Sequence, residues 1–462
     1  ERGMGIMLDM VFNHTSTQHE WFQKALAGDE TYQKYYIFKE GTPDHAPTNW
    51  QSKFGGPAWE YVPDLKKWYL HLFDVTQADL NWDNPKVRQE LIEILRFWKE
   101  KGIRSFRFDV INLVSKPQQM EDDFQGDGRR FYSDGPHIHE YLKDLVSGAG
   151  IEDFVTVGEM SSTSLAHCIR YSAPKEKELS MCFNFHHLKV DYKDGDKWAL
   201  KPVDYQALKA LFTEWQMGMQ AGDGWNALFW CNHDQPRIVS RMGDEGIYWK
   251  ASAKMLAGMI HLMRGTPYIY QGEEIGMLNA HFPSIEQYRD VESLNYYQIL
   301  LEEGKSREEA LAILAARSRD NSRTPMQWNG EQYGGFSEKE PWILMSAAFR
   351  EEITVEAQQK AEDSILAFYK TLIAMRKKYP VIAKGEISFL ATETDKVFAY
   401  QRTLGEQKLV VFCNLDGKKQ NIKMAKAWGG YRILLENYQG RKMPVEEMCV
   451  MEPYEIMVLG NI

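Results

Sequence analysis

Short apolar runs, each ending in a charged or polar residue, recur along the chain in a fixed order. Three such runs lead to Asp109, to Glu159 and, after residues 227–231, to Asp234. Short apolar runs bounded by polar residues are typical of strands that are buried on both faces of a parallel sheet. In a (β/α) barrel all strands end at one rim, and that rim carries the chemistry. The pattern therefore predicts that separate strands deliver three carboxylates to one pocket.

Apolar residues at helical spacing alternate with these runs. The clearest helix is predicted to begin with Asn84 as its N-cap, with Pro85 at the first helical position, and to end at Gly102. Strand and helix patterns that alternate in this way favour a parallel sheet and an α/β fold.

The alternation is interrupted twice. Residues 15–83 form a long irregular region rich in aromatic residues, which predicts an inserted subdomain. Beyond residue 384 the pattern changes to short alternating runs, which predict a separate antiparallel β domain at residues 385–462. The catalytic barrel is then assigned to residues 1–14 and 84–384.

Composition limits the classes of partner. The 462 residues carry a net charge of −10, which argues against general affinity for nucleic acids or for anionic membranes. No apolar stretch approaches the roughly 20 residues of a membrane-spanning helix. The five cysteines show no paired spacing, which is typical of free thiols in a reducing compartment, and we expect a cytoplasmic protein.

The carboxylates suit the cleavage of a glycosidic bond, which needs one carboxylic acid to protonate the leaving oxygen and one carboxylate at the anomeric carbon. Arg107 precedes Asp109 by two residues, so both face one side of a strand, and the guanidinium favours an ionised nucleophile. Glu159 ends a wholly apolar run, where desolvation favours the protonated form that an acid requires. His14 and His233 are candidate donors to sugar hydroxyls.

These segments resemble the conserved regions of the alpha-amylase family of glycoside hydrolases, and the resemblance covers nearly the whole chain. It implies that Asp109 is the nucleophile, Glu159 the acid/base and Asp234 the transition-state stabiliser of a retaining enzyme. It also implies a sugar subsite lined by Arg107, His14 and His233. No redox or organic cofactor is implied, and we assign no metal.

The same resemblance implies the architecture. We expect a (β/α)8 TIM-type barrel with the inserted subdomain after barrel strand 3 and the antiparallel β domain at the C-terminal end. On this comparison the chain lacks the first two strand–helix units of the barrel.

Two further segments resemble one branch of this family. Residues 77–81 and 320–328 are similar to signatures of the oligo-1,6-glucosidase branch, in which the residue that matches Arg323 helps to close a pocket around a terminal glucose. The resemblance therefore implies an exo-acting enzyme. Ala78 departs from the branch pattern, which usually has proline at this position.

Residues 126–132 and 183–192 resemble trehalose-6-phosphate hydrolases. The second segment has His187 and Lys189 at a position where relatives that act on neutral sugars tend to carry an acidic and a hydrophobic residue. Because a phosphate dianion requires cationic and hydrogen-bond donors, we expect a phosphate site built from Lys189, His187, Arg129 and Arg130. The implied reaction is hydrolysis of trehalose 6-phosphate to glucose and glucose 6-phosphate.

Three alternatives stay open on the sequence. An oligo-1,6-glucosidase would act on neutral isomaltose-type sugars with the same catalytic residues, and the phosphate dependence of the substrate separates the two. A non-catalytic barrel relative would use the fold to bind a partner, and the presence of all three carboxylates counts against it. A transferase would differ through the access of water and sugar acceptors to the pocket, so analysis of its products would identify it.

Overall fold

The computed structural model describes residues 3–441 and 447–462. The chain divides into two units, Glu1–Phe185 with Ala221–Ala227, and His186–Gln220 with Leu228–Ile462. The boundaries of these two units differ from the predicted domain boundaries. The predicted boundaries of the inserted subdomain and of the C-terminal β domain stay predictions.

The first unit combines short strands with six α-helices and two 3-10 helices in its described residues. Its strands are β1 Met7–Met10, β2 His14–Ser16, β3 Phe38–Glu40, β4 Trp59–Val62, β5 Lys67–Leu70, β6 Gln77–Asp79, β7 Ser105–Phe108, β8 Val155–Met160 and β9 Met181–Asn184. Its α-helices are α1 Glu20–Leu26, α2 Glu30–Gln33, α3 Pro85–Glu100, α4 Arg129–Tyr132, α5 Ile138–Ala149 and α6 Leu165–Ser172, and its 3-10 helices are Ile111–Leu113 and Pro174–Glu176.

Four strands of this unit form a parallel sheet in the order β1-β7-β8-β9. Phe106 and Phe108 of β7 are fully buried, as expected for a strand that is covered on both faces. The prediction of parallel strands is confirmed for these runs. Asp109 directly follows β7 and Glu159 lies near the end of β8, so both occur at the same edge of the sheet.

The helix predicted from Asn84 is also confirmed. Helix α3 has Asn84 as its N-cap, with the side-chain oxygen accepting a hydrogen bond from the backbone N–H of Lys86 at 3.0 Å. Pro85 occupies the first turn, where its missing N–H has no intrahelical partner to lose.

The second unit contains most of the remaining elements. Its strands are β10 Tyr192–Lys193, β11 Asp196–Leu200, β12 Ala227–Leu228 (whose first residue belongs to the first unit), β13 Thr266–Pro267, β14 Glu386–Phe389, β15 Val397–Leu404, β16 Gln407–Asn414, β17 Gln420–Lys423, β18 Arg432–Glu436, β19 Met448–Met451 and β20 Ile456–Gly460. Its α-helices are α7 Tyr205–Ala221 (whose last residue belongs to the first unit), α8 Ile238–Met242, α9 Trp249–His261, α10 Val291–Glu302, α11 Arg307–Arg317, α12 Asp320–Arg323, α13 Val355–Lys360, α14 Ile365–Lys378 and α15 Pro380–Lys384. Its 3-10 helices are His186–Leu188, Glu273–Ile275, Ile285–Gln287, Gln332–Gly335, Glu351–Ile353 and Lys426–Trp428.

The last part of this unit is antiparallel, as the alternating runs predicted. Strands β14-β15-β16-β20-β18 form one sheet in that order, and β17 pairs with β19. Val410, Phe412 and Leu459 belong to the apolar core of this region.

One buried arginine ties the five-stranded sheet to neighbouring helix ends. Arg402 of β15 is fully buried and donates to the carbonyl oxygens of Leu262 at 2.7 Å, Ile382 at 2.8 Å and Gly385 at 2.6 Å. Leu262 follows α9, and Ile382 lies in α15. Burial lowers the pKa of Arg402 to about 10, so the guanidinium is charged at neutral pH.

The apolar run at residues 227–231 differs from its prediction as a strand. Only Ala227–Leu228 is a strand. Trp230 and Cys231 are buried, but their side chains are held by individual hydrogen bonds, from Trp230 Nε1 to Leu256 O at 2.7 Å and from Cys231 Sγ to Glu273 Oε2 at 2.9 Å. Burial without strand pairing produces the same apolar pattern.

Across residues 3–441 and 447–462, no helix is both long enough and apolar enough to cross a membrane.

Candidate active site

Arg107 contacts three carboxylates at the edge of the parallel sheet. Its Nη1 lies 2.6 Å from Asp9 Oδ1 and 2.9 Å from Asp109 Oδ1, and its Nη2 contacts Glu159 Oε2. The sequence predicted the contact with Asp109 from the spacing of two residues. The contact with Asp9 depends on the pairing of β1 with β7, and the contact with Glu159 depends on the pairing of β7 with β8.

The charge of Arg107 is maintained by these neighbours. Burial opposes the charge, but Asp109 and Asp9 outweigh it, so the pKa of Arg107 lies above its ordinary value. Glu159 is only 7% exposed. A permanent cation therefore lies beside three carboxylates, of which Glu159 is the most buried.

The backbone turns sharply after Asp109. Val110 has a φ of +35°, in the left-handed region that β-branched residues rarely adopt. Such strain costs about 1–3 kcal/mol and occurs mainly at functional sites. The backbone N–H of Asp109 donates to Met10 O at 3.0 Å, which fixes this residue to the end of the neighbouring strand.

His14 is a buried, hydrogen-bonded histidine in the same unit. Its Nε2 lies 3.0 Å from Gln77 Nε2, and its ring packs against Phe73 with the ring centroids 5.2 Å apart. Burial lowers the pKa of His14, although Asp79 and Asp109 act in the opposite direction. A neutral imidazole has one donor and one acceptor nitrogen. Here Nε2 faces the amide of Gln77, and Nδ1 faces that of Asn13 at 3.3 Å.

A buried ion pair supports the strand end that carries His14. Lys116 Nζ lies 2.8 Å from Asp79 Oδ2 and donates to Asn13 Oδ1 at 2.8 Å, while Asn13 Nδ2 donates to Asp79 Oδ2 at 3.1 Å. The segment at residues 77–81, which the sequence singled out, thus contributes Gln77 and Asp79 to this network. Sequence reasoning missed Lys116, because a single lysine in a loop carries no periodic signal.

Asp234 lies among basic side chains of the second unit. Arg323 Nη2 lies 2.6 Å and Arg319 Nη1 3.4 Å from Asp234 Oδ1, and His233 Nε2 lies 3.4 Å from Asp234 Oδ2. Burial alone would raise the pKa of Asp234, but His233, Arg319 and Arg323 outweigh it and hold the pKa below its ordinary value. Asp234 is therefore ionised at neutral pH.

Arg319 connects Asp234 to two further carboxylates. Arg319 Nη2 lies 2.5 Å from Asp290 Oδ1, and Arg319 Nε lies 3.3 Å from Glu292 Oε2. Lys197 of β11 reaches the same Glu292 oxygen at 2.7 Å. The sequence did not single out these residues, although Arg319 directly precedes the segment that resembles the oligo-1,6-glucosidase branch.

Two candidate phosphate ligands lie in the second unit. His187 Nε2 donates to Phe229 O at 2.9 Å, and its ring lies among aromatic rings that include Phe212 and Trp230. The side chain is buried, which lowers the pKa of His187 to about 4 and keeps it neutral. Lys189, two residues along the chain, is half-buried. The phosphate role of both residues stays a prediction.

The other two candidates lie in the first unit and have carboxylate partners. Arg129 Nη2 lies 2.5 Å from Asp127 Oδ2, and Arg130 Nε lies 3.0 Å from Asp123 Oδ1. Both arginine side chains are about half exposed. These ion pairs order the loop before α4, and the phosphate role of both arginines also stays a prediction.

No group of three or more histidine, cysteine, aspartate or glutamate side chains suited to a metal ion occurs within the described residues. The sequence assignment of no metal stays a prediction.

Comparisons with known proteins identify the family of the chain. The profile of the alpha amylase catalytic domain matches residues 1–385. The trehalose-6-phosphate hydrolase of Bacillus subtilis is 48% identical over 99% of this chain and 82% of its own length. The oligo-1,6-glucosidase of Bacillus cereus is 41% identical over 99% of this chain and 83% of its own length. The crystal structure of Bacillus licheniformis trehalose-6-phosphate hydrolase has a TM-score of 0.92 at 50% identity, covering 99% of this chain and 84% of that one.

The chain belongs to the alpha-amylase family. It is a glycoside hydrolase, and the resemblance drawn from the sequence is confirmed. Membership of the alpha-amylase family and the solved relatives also confirm the (β/α)8 barrel with a C-terminal β domain.

Proposed function

We propose that this alpha-amylase family enzyme hydrolyses trehalose 6-phosphate to glucose and glucose 6-phosphate with retention of configuration. The observation that carries the proposal is the contact of one guanidinium, that of Arg107, with both Asp109 and Glu159. Two carboxyl groups close to a shared cation, at neighbouring strand ends, suit the two-step cleavage of a glycosidic bond. The sequence identity of 48–50% to trehalose-6-phosphate hydrolases over almost the whole chain supports the choice of substrate.

In the first step Asp109 attacks the anomeric carbon of the unphosphorylated glucose while Glu159 protonates the glycosidic oxygen. Glucose 6-phosphate leaves, and a covalent glucosyl ester remains on Asp109. In the second step Glu159 removes a proton from water, which attacks the same carbon and releases glucose. Two inversions at one carbon give net retention.

The remaining residues bind the sugar and its developing charge. Asp234, which its basic neighbours keep ionised, accepts hydrogen bonds from hydroxyls and stabilises the oxocarbenium-like transition state. Arg323 fixes Asp234 and the backbone of His233. His14 and His233 donate to sugar hydroxyls.

We assign the phosphate chiefly to Lys189. Lysine is a compact point charge that suits a phosphate dianion, and Lys189 is partly accessible in a chain of net charge −10. His187 has already committed its Nε2 proton to Phe229 O, which makes it the weaker candidate. Arg129 and Arg130 would have to break their ion pairs with Asp127 and Asp123 before they could bind the phosphate.

Two finer expectations belong to the same proposal. The share of 79–84% of the relatives' length that the chain covers supports the expectation that two strand–helix units of the barrel lie outside it. Five buried cysteines without a disulfide support a reducing, cytoplasmic location.

The decisive measurement is glucose release from trehalose 6-phosphate and from isomaltose at equal concentration, by the protein that contains this chain. We expect preference for the phosphorylated sugar, loss of that preference in Lys189→Ala, and loss of all activity in Glu159→Gln. Lys193→Ala removes an exposed lysine four residues away and is the matched control.

Preference for isomaltose would contradict the proposal and favour a neutral oligo-1,6-glucosidase, a function carried by a relative that is 41% identical. Disaccharides or trisaccharides among the products would indicate a transferase. Full activity of Glu159→Gln would contradict the assigned roles themselves.

A further inference from the structure

The side chain of Asn112 joins the loop after Asp109 to the loop after Glu159. Asn112 is fully buried in the 3-10 helix Ile111–Leu113, three residues after Asp109. Its Oδ1 accepts from the backbone N–H of Ser161 at 2.8 Å, and its Nδ2 donates to Ser161 O at 2.8 Å. Ser161 follows Glu159 by two residues. One amide group thus binds both backbone polar groups of a residue close to the candidate acid.

Asp134 fixes the orientation of that amide. Its Oδ1 accepts from Asn112 Nδ2 at 3.0 Å, from Thr163 Oγ1 at 3.2 Å and from Tyr171 Oη at 2.7 Å. The backbone N–H of Asp134 also donates to Asn112 O at 2.9 Å. Because a carboxylate only accepts hydrogen bonds, Asn112 has to turn its NH2 group toward Asp134, which leaves Oδ1 for Ser161.

The backbone at these positions is held in unusual conformations. Asp134 has a φ of +51° and Ser162 a φ of +55°, both in the left-handed region. Conformations of this kind persist where the surrounding contacts over-determine them. The hydrogen bonds of Asn112 and Asp134 supply such contacts, because they hold both loops at several points.

The hydrogen bonds of Asn112 link the two chain segments just beyond the last paired residues of β7 and β8. The pairing of β7 with β8 ends at Phe108 and Gly158, one residue before each catalytic candidate. Beyond that point no ladder bond between β7 and β8 fixes the spacing of Asp109 and Glu159, and the Asn112 amide supplies the next link between the two chain segments. Spacing is critical, because a retaining glycosidase needs its carboxyl groups about 5–5.5 Å apart.

We propose that Asn112 is a positioning residue that sets the separation of Asp109 and Glu159 through Ser161, and that Asp134 orients it. The inference rests on the proposed roles of the two carboxylates and concerns neither the phosphate nor the choice of disaccharide.

The test compares two substrates that differ in their need for an acid. Asn112→Ala lowers kcat/KM for trehalose 6-phosphate about 100-fold, the expected cost of misplacing a catalytic group by about 1 Å. With 4-nitrophenyl α-glucoside the loss is less than about tenfold, because nitrophenolate leaves without a proton from Glu159. Asp134→Ala shows the same selective loss, whereas Asp134→Asn, which keeps an acceptor oxygen, restores most of the activity.

Asn414→Ala is the matched control for stability. Asn414 is also fully buried, and its Nδ2 donates to Lys418 O at 2.8 Å and to Glu452 O at 2.7 Å in the C-terminal region. We expect this variant to lower the melting temperature and to leave kcat/KM of the folded protein unchanged for both substrates.

Equal losses on both substrates, or an unchanged kcat/KM in Asn112→Ala, would overturn the positioning role. If the wild type prefers isomaltose, the same comparison is made with isomaltose, so failure of the proposed substrate and failure of this inference are separate results.

Discussion

Arg323 uses two edges of its guanidinium at once. Its Nη2 donates to Asp234 Oδ1 at 2.6 Å, and its Nε donates to His233 O at 2.8 Å. A planar fork can satisfy both acceptors, whereas the ammonium of a lysine is a single point charge. Arg323 therefore sets the geometry of Asp234 as well as its charge.

At this scale we expect Arg323→Lys to lower kcat/KM about 10–100-fold, since hydrogen bonds to a charged group contribute about 1.5–3 kcal/mol. Steady-state kinetics with trehalose 6-phosphate measures the effect. Arg289→Lys is the control, because Arg289 is exposed and its guanidinium donates to the backbone oxygens of Trp342, Glu286 and Tyr288. If the two variants have the same kcat/KM, Arg323 does not position Asp234.

Single residues also mark the limit of what the sequence predicted at the site. The pair of Arg107 with Asp109 was found because a spacing of two residues has a fixed meaning in a strand. The contact of Arg107 with Glu159 requires the register of two strands, which no local pattern contains. Asn112 had a weak signal as the lone polar residue in the apolar run at residues 110–114, whereas Asp134 had none.

At the scale of elements, the five-stranded sheet depends on a charge in its interior. Arg402 donates to carbonyl oxygens at the ends of two helices. Removing the guanidinium leaves those oxygens buried without this donor, and an unsatisfied buried polar group costs about 1–3 kcal/mol.

We therefore expect Arg402→Met to lower the free energy of unfolding by at least about 3 kcal/mol, because several acceptors lose one donor together. Urea unfolding measures the change. The exposed Arg432 of β18 provides the comparison, and Arg432→Met should stay within about 0.5 kcal/mol of the wild type. Equal values for the two variants would show that the buried contacts of Arg402 add nothing.

Elements were predicted best where the period of the apolar residues and a cap agreed. Helix α3 has both signals, and its first residue was predicted correctly. The run at residues 227–231 was apolar without being a strand, since contacts of Trp230 and Cys231 with distant residues account for its burial. The sequence could therefore predict the architecture and the contact of Arg107 with Asp109, but not the loop contacts around these residues.

At the scale of the whole molecule, buried histidines make stability depend on pH. His187 has its pKa lowered to about 4 by burial, while an unfolded chain titrates near the ordinary value of 6.5. The folded protein thus binds fewer protons than the unfolded chain between these values. The neutral side chain of His187 therefore makes its full contribution to stability above pH 6.5, and this contribution is lost as the pH falls toward 4.

We expect His187→Gln to remove up to about 3 kcal/mol of this pH dependence, because burial lowers the pKa of His187 from 6.5 to about 4. Urea unfolding of both proteins from pH 8 to pH 4 measures it as a difference between two curves. The exposed His45→Gln should leave the wild-type curve unchanged. Parallel curves for wild type and His187→Gln would mean that His187 is not kept neutral by the fold.

The interleaving of the two units has a consequence for biosynthesis. The chain leaves the first unit after Phe185 and returns to it at Ala221. The backbone N–H of Cys182, within β9, donates to Trp225 O at 3.2 Å. On the ribosome, this strand edge stays uncovered until all of α7 has been translated. Uncovered strand edges pair readily with other chains. A nascent chain that pauses before Trp225 therefore has this edge of β9 open to pairing with other chains.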